Sequence, residues 1–356
     1  MQLRKLADSV GEWLRGSGPE SDVVISSRVR LARNLGRFNF PTRLDDASRR
    51  DCAEHIRERI LRSKVVSAEN YFPLEDLSTV ERHFLVERHL ISKEHEDGGP
   101  GRAAAVGDDE ILSIMVLEED HLRLQILKSG LQPVETWRIA SSVDDLLERH
   151  LDYAFHPQLG YLTSCPTNVG TGLRVSVMLH LPALVLTRHI AKCFQAMAKI
   201  GLNVRGLYGE GTEASGDFYQ ISNQSTLGKT EESIVRDLAA VVPEVLKYER
   251  SARRTLLHRD RRRIEDRVWR AYAMLRHARI LSSDETMTLL SALRLGVHAG
   301  IIAGIEPAAV NEIFIFSQPA HLQVRAGREI PAGERDVLRA DFVRGRLPAL
   351  PNGGGQ

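Results

Sequence analysis

Residues 161–229 constrain the chain more than any other stretch. There a turn-rich loop, Cys165-Pro-Thr-Asn-Val-Gly-Thr-Gly172, runs straight into Leu173-Arg-Val-Ser-Val-Met-Leu-His180. A two-residue period is the mark of a strand, so Leu173, Val175, Val177 and Leu179 turn to one side and Arg174, Ser176, Met178 and His180 to the other. Further on, an apolar strand carries Arg205, and a glycine-flanked turn then presents Glu210. An arginine on a half-buried strand costs free energy unless an anion meets it. The sheet these segments build therefore needs a negatively charged ligand on one face.

Composition says where that ligand is not held. The chain of 356 residues exceeds the usual length of one domain, so two domains are expected. With 42% hydrophobic and 27% charged residues it has an ordinary globular balance, and a net charge of +1 excludes coating nucleic acid or acidic membranes through overall charge. The anion site must be local. Cys52, Cys165 and Cys193 are far apart and lack a Cys-x-x-Cys, against both a disulfide framework and a structural zinc. The first residues lack a signal-peptide core, and the most apolar run, 178–186, is too short for a bilayer and contains His180 and Pro182. A reduced, cytoplasmic setting is expected.

In chain order, residues 3–15 have a short amphipathic helical pattern, stopped by Gly16-Ser-Gly-Pro19. The β-branched run 23–32 follows, with Ser26, Arg28 and Arg30 on one face and Ser27, Val29 and Leu31 on the other. Two arginines at i and i+2 make a fork suited to phosphate oxygens. Taken alone, an edge strand with solvated basic residues explains them better. Residues 45–64 form a charged helix with Ile56 and Ile60 inward and Cys52 packing. His83 and His89 follow in a mixed segment that earns neither a role by itself. Residues 111–127 read as two strands around an acidic turn at 118–120, with His121, Arg123 and Gln125 on one face of the second and Glu119 beside them.

The pattern then predicts a helix over 141–153, with Val143, Leu146, Leu147 and Leu151 inward, and another over 181–200. Gly209-Glu-Gly-Thr-Glu-Ala214 and Gly228-Lys-Thr230 imitate nucleotide loops, but the first leads into a strand and the second lacks its first glycine. From Thr230, an N-cap followed by Glu231 and Glu232, the character is helical. The arginine-rich run 251–270 is interleaved with Asp260, Glu265 and Asp266, which suits a solvated helix face better than a nucleic-acid surface. A domain boundary is placed near 250.

Arg28, Arg30, Arg123, Arg174 and Arg205 thus sit on strands, with Glu119 and Glu210 at turns. Such guanidinium groups repel one another unless a polyanion such as a nucleoside triphosphate with magnesium lies among them. The carboxylates suit a cationic co-substrate at the terminal phosphate.

Ser26-Ser-Arg-Val-Arg-Leu-Ala-Arg-Asn34, Glu118-Glu-Asp-His-Leu-Arg123, Cys165-Pro-Thr-Asn-Val-Gly-Thr171, Arg174-Val-Ser-Val-Met178 and Arg205-Gly-Leu-Tyr-Gly-Glu210 closely resemble the motifs of the phosphagen (guanidino) kinase catalytic domain. Within that superfamily the chain is similar to the bacterial protein-arginine kinases, its first strand motif falling within thirty residues where creatine and arginine kinases carry a separate helical domain. The resemblance implies an α+β fold: a glutamine-synthetase-like catalytic domain over 23–250, with a mainly antiparallel sheet flanked by helices. A lead-in helix over 1–22, an all-α C-terminal domain over 251–347 and a tail over 348–356 complete it.

It also implies roles. Mg²⁺-bound ATP would be held by Ser26, Ser27, Arg28, Val29, Arg30, His89, Arg123, Arg174, Val175, Ser176, Val177, Met178, Arg205, Gly206, Leu207, Tyr208, Gly209 and Glu210, the metal being carried by ATP and water rather than by protein ligands. Glu119 and Glu210 would grip a substrate guanidinium and accept its proton, with Cys165 beside it. Arg335, Asp336, Arg339 and Ala340 are similar to an R-D-x-x-R-A motif that binds phosphoarginine allosterically. Protein substrates with exposed arginines, marked for Clp-type proteolysis, are implied, as are a zinc-finger activator of the McsA type, a ClpC-type unfoldase and a homodimer. Nucleic acid and membrane are not implied. Two other readings compete: a kinase of free arginine or another small guanidino compound, and a non-catalytic phosphoarginine-binding regulator. One departure stands out: the family's acidic turn reads Asn-Glu-Glu-Asp-His, whereas Leu117 precedes Glu118 here.

Overall fold

A computed structural model describes residues 3–206 and 215–350. Its centre is one antiparallel sheet. In chain order the strands are β1 (Val24–Arg33), β2 (Tyr71–Pro73), β3 (Ala103–Val106), β4 (Leu112–Val116), β5 (Leu122–Ser129), a small separate hairpin β6 (Phe155–His156) and β7 (Gly160–Tyr161), then β8 (Leu173–His180), β9 (Leu202–Gly206) and β10 (Phe218–Asn223). The eight strands of the main sheet lie in the order β2-β3-β4-β5-β1-β8-β10-β9. β1 therefore pairs on both sides, with β5 and β8. It is not the edge strand that would have left its arginines in water.

The register decides which side chains share a face. Arg30 stands opposite Gln125 and Arg174, Arg28 opposite Leu127 and Ser176, Ala32 opposite Arg123, and Gln220 opposite both Met178 and Arg205. Directly opposed residues point the same way, so these form one face. The alternate residues Val29, Leu31, Leu124, Ile126, Val175, Val177, Leu179 and Ile221 form the other, buried in the main core. That core is closed by α2 (Asp46–Ser63), α4 (Pro133–Glu148), α5 (Pro182–Leu186), α6 (Ile190–Lys199) and α7 (Glu231–Arg259), numbered after α1 (Leu3–Asp8) and α3 (Thr79–Glu87) on the opposite side.

The remaining helices are α8 (Arg261–His277), α9 (Ser283–His298), α10 (Pro307–Phe316), α11 (Pro319–Ala326) and α12 (Ala332–Arg346). Helices α8, α9, α10 and α12 build a second core with Trp13 and Leu14, and it reaches the arginine-bearing face through Leu127, Met178 and Phe218, whereas α11 packs with α1 and α3. A register irregularity between Val24 and Ser26 lets Ile25 join them. One end of this face is thus apolar and covered, and the other is cationic. Among the described residues no strand follows α7, which itself runs through residue 250.

Two expected helices differ. The one placed over 141–153 starts at Pro133 and ends at Glu148, and its inward side is Thr136, Ala140, Asp144 and Leu147, while Leu146 is exposed. Asp144 turns inward because the fully buried Arg33 of β1 needs it: its Oδ2 accepts from Arg33 Nε and a terminal nitrogen at 3.0 and 2.6 Å. The run over 181–200 is broken into α5 and α6 at Arg188, whose φ of 60° no helix accommodates. Ser282 caps α9, accepting from the Glu285 N–H at 3.2 Å.

Candidate active site

Arg28, Arg30, Arg123, Arg174 and Arg205 come from β1, β5, β8 and β9, yet line one cleft of about 710 Å³ together with Glu118, Glu119, Cys165, Gly206 and Gln220. Side-chain alternation and antiparallel register alone bring them there. Burial, then the neighbouring charges of Arg174 and Arg123, bring the Arg28 guanidinium down to about 10. Arg30 is pushed well below its ordinary value by burial and by Arg28, Arg123 and Arg174. Arg174 is lowered by burial, Arg205 and Arg123. Among the described residues few of these donors are spent: Arg28 donates to the Gln220 side-chain amide oxygen, Arg174 donates to Ser222 Oγ at 3.0 Å, and the buried Arg174 Nε has no partner. Crowded cations with unmet donors fit a polyanion carrying many acceptor oxygens.

The acidic turn supplies the opposite charge in two forms. Glu118 is 5% exposed and holds Arg123 at 2.8 Å, while accepting from Ser92 Oγ at 2.6 Å and from the Glu119 N–H at 2.9 Å. Burial opposes its ionisation, but Arg123 and these hydrogen bonds together keep its carboxyl below the usual range. Glu119 also accepts from Arg123, at 2.9 Å, yet its side chain is 44% exposed and faces the cleft. Glu118 therefore orients Arg123, whereas Glu119 is a carboxylate that a ligand can reach.

Leu117, at the departure noted above, has φ of 56°, a conformation in which asparagine is more at ease than leucine. The turn is intact regardless. Leu117 N–H donates to the His121 carbonyl at 2.9 Å, Asp120 accepts from Asn34 Nδ2 and the Ser164 N–H at 2.6 and 2.7 Å, and the leucine side chain is fully buried in the main core. Cys165 lines the same end of the cleft, its Sγ 2.9 Å from Thr167 Oγ1.

Other residues singled out in the sequence fall elsewhere. Val29, Val175 and Val177 are fully buried in the helix-covered core, on the far side of the sheet from the arginines. Ser27 is equally buried, donating to the Gly130 carbonyl and accepting from the Gln132 N–H, both at 2.8 Å. The parity that sends arginines into the cleft sends these four side chains to the other face of the sheet. Ser26, Ser176 and Met178 share the cleft's face but are buried, Met178 within the second core. His89 lies beside Arg28, its φ 59° and its ring 5.2 Å from that of Trp13, and burial followed by Arg28 pushes its pKa down to about 3. Leu207, Tyr208, Gly209 and Glu210 lie outside the described residues.

In α12, Arg335 and Asp336 are half-buried, whereas Arg339 and Ala340 are buried. Arg339 turns inward, donating to the carbonyls of Ser317 and Leu281, both at 2.8 Å, and to Asp336 at 2.6 Å. The two arginines of the motif are thus not a matched surface pair. Gln220 and Glu118 are site residues that sequence reasoning missed. Alternation along β10 placed Gln220 on a face with Phe218 and Ser222, but nothing in the sequence revealed its pairing with Arg205.

Residues 51–252 match the family model described as ATP:guanido phosphotransferase, C-terminal catalytic domain. The chain belongs to this family of phosphotransferases. Residues 261–354 match a second model, the protein-arginine kinase McsB C-terminal domain. Relatives named protein-arginine kinase include one from Desulforamulus reducens, 48% identical over 99% of this chain and all of that one. Another, from Symbiobacterium thermophilum, is 50% identical over 95% and 96%, and one from Bacillus subtilis 43% identical over 98% and 96%. Among solved structures, lombricine kinase superposes with a TM-score of 0.57 at 25% identity, covering 66% of this chain and 68% of its own. The duplicated taurocyamine kinase of Schistosoma mansoni with bound transition-state-analogue components gives 0.56 at 28% identity, over 69% and 35%. The family match spans the cleft's Arg123, Arg174, Arg205, Glu119 and Cys165, and the second covers α8 to α12. No described helix is long and apolar enough to cross a membrane, and no group of three His, Cys, Asp or Glu among the described residues could hold a metal ion.

Proposed function

We propose that the protein transfers the γ-phosphoryl group of ATP to a guanidinium nitrogen of arginine residues in proteins. One observation carries this: guanidinium groups from four strands converge on a single cleft that ends at an accessible carboxylate, Glu119. The arginines would bind the triphosphate and neutralise charge on the transferred group, while bound Mg²⁺, carried by the phosphates and water, would add to that neutralisation. Glu119, with Glu210, would hold the incoming guanidinium and accept its proton. A guanidinium, protonated at any ordinary pH, is a poor nucleophile until a positioned base relieves it of that proton. Cys165 would pack beside the same group. Positioning and electrostatic neutralisation are then the main sources of rate.

The names borne by relatives along nearly their whole length support protein arginine over a small guanidino compound as the acceptor. Incubation with γ-labelled ATP, a protein substrate and free arginine separates the two. Acid-labile label on protein arginines is the expected result, and label confined to free arginine would replace this reading with the small-molecule one. No label on either would favour a phosphoarginine-binding regulator. On the same reading, modified proteins go to a ClpC-type unfoldase in the cytoplasm, a zinc-finger protein acts as activator, α8 to α12 mediate homodimerisation, and Arg335 with Asp336 meets phosphoarginine.

A further inference from the structure

Glu87 ends α3 and is 3% exposed. Its two carboxylate oxygens accept from the backbone N–H groups of Ala320 and His321, both at 2.8 Å, in the first turn of α11. A side chain from the sheet's flank thus satisfies donors that a helix start otherwise leaves unbonded. On the catalytic side the chain runs from Glu87 to the neighbourhood of Arg28 within two residues. Arg88 is fully buried and donates from Nε to Glu110 at 2.9 Å. His89 follows, beside Arg28, and its carbonyl accepts from Gln125 Nε2 at 2.6 Å. Gln125 stands directly opposite Arg30. On the helical side, Arg339 of α12 donates to the carbonyl of Ser317, two residues before α11.

We infer that Glu87 is a positioning residue for the nucleotide cleft, its grip on α11 being the contact through which the C-terminal helices set the affinity for ATP. The inference rests on the nucleotide reading of the cleft. Loosening the grip frees the end of α3, and with it the placement of His89 and Gln125 against Arg28 and Arg30; such contiguous packing is a means of coupling that only perturbation tests.

The grip is also titratable. Burial raises the Glu87 carboxyl to about 7, against the two backbone N–H groups, His83 and Arg339, which favour its ionised form. His83 Nε2 is 3.5 Å away, with its Nδ1 held by Glu96 at 2.8 Å. His321 is pushed down to about 3 by burial and by Arg88, so it is neutral near pH 7. As pH rises through about 7 the carboxyl ionises and becomes the stronger acceptor for both N–H groups. The native protein should therefore bind ATP more tightly at pH 8 than at pH 6.

The test is a titration of full-length Glu87→Gln with MgATP at pH 6 to 8, beside steady-state kinetics. Glutamine keeps the volume but turns an amide NH₂ toward one of the two backbone donors. Dissociation constant and KM for ATP should rise about tenfold at pH 8, with kcat within about twofold and the pH dependence gone. His83→Ala, at a half-exposed position, should move the native inflection to higher pH, and it carries the test should Glu87→Gln fail to fold. Native affinity and pH dependence in Glu87→Gln, a loss confined to kcat, or an unmoved inflection in His83→Ala would overturn the inference. Failure of the native protein to bind ATP would instead overturn the reading beneath it.

Discussion

Replacing Arg28 with methionine should make the protein more stable without ATP and nearly useless with it. The fall of its guanidinium from 12.5 to about 10 corresponds, at about 1.4 kcal/mol per pH unit, to a cost of about 3 kcal/mol for keeping that charge in the folded cleft. The sign follows from the direction. A base whose folded pKa lies below its unfolded one is penalised wherever it stays protonated, so the whole cost is present at pH 7 and fades only as pH rises from about 10 to 12.5. Losing the bond to Gln220 gives back about 1 kcal/mol. A net gain of about 2 kcal/mol remains, or roughly 4–8 °C in Tm for a domain of this size.

Function should move oppositely. Loss of one preorganised donor to the transferred phosphoryl group costs about 10²–10³ in kcat. The stabilisation that saturating nucleotide confers, about 2.7 kcal/mol at a hundred times Kd, should largely vanish. Thermal and urea unfolding with and without MgATP, beside a phosphoryl-transfer assay, read both signs. An Arg28→Met protein less stable than the native one without nucleotide would refute the reasoning that the cleft stores repulsion for a polyanion. So would native protection by ATP.

Three further outcomes are expected. Glu119→Gln should lower kcat about 10²–10⁴-fold with nucleotide binding retained, since the lost carboxylate acts on the acceptor guanidinium; single-turnover kinetics with a parallel ATP titration check it. Asp144→Ala should destabilise the protein by about 3 kcal/mol or more, because it removes the two bonds from the closest carboxylate to the buried Arg33; urea denaturation measures it, and a change under 1 kcal/mol would mean that the Ala32 and Thr171 carbonyls, Glu231 and Tyr161, whose ring centre lies 3.5 Å from that guanidinium, suffice. Asp336→Ala should abolish stimulation by added phosphoarginine with little change in basal ATP binding, and undiminished stimulation would remove the motif's proposed role.

What the sequence made legible was whatever a local period can state. The two-residue alternation at Arg28 and Arg30, at Arg123 and at Arg174 placed each side chain on the correct face, and the Thr230 cap of α7 is a short-range pattern of the same kind. Ligation is where a motif and a period part company. The runs 26–30 and 174–178 resemble their family as blocks, but a strand shows only every second residue to one side. Val29, Val175 and Val177 therefore belong to the core that holds the block in place. What stayed hidden depends on partners distant in the chain. Asp144 looked like a gap in an apolar stripe because Arg33 is 111 residues away. The motif gave no sign that Arg339 turns inward, because the Ser317 and Leu281 carbonyls that draw it there carry no sequence signature. The single face of the sheet explains both the reach and the limit of the reading. Its apolar end, at Leu127, Met178 and Phe218, must be covered by α8, α9, α10 and α12 for the fold to close, while its cationic end must stay open to be of use. Residues on that border, His89 and Gln125 among them, answer to both ends at once, and no periodicity assigns them to either.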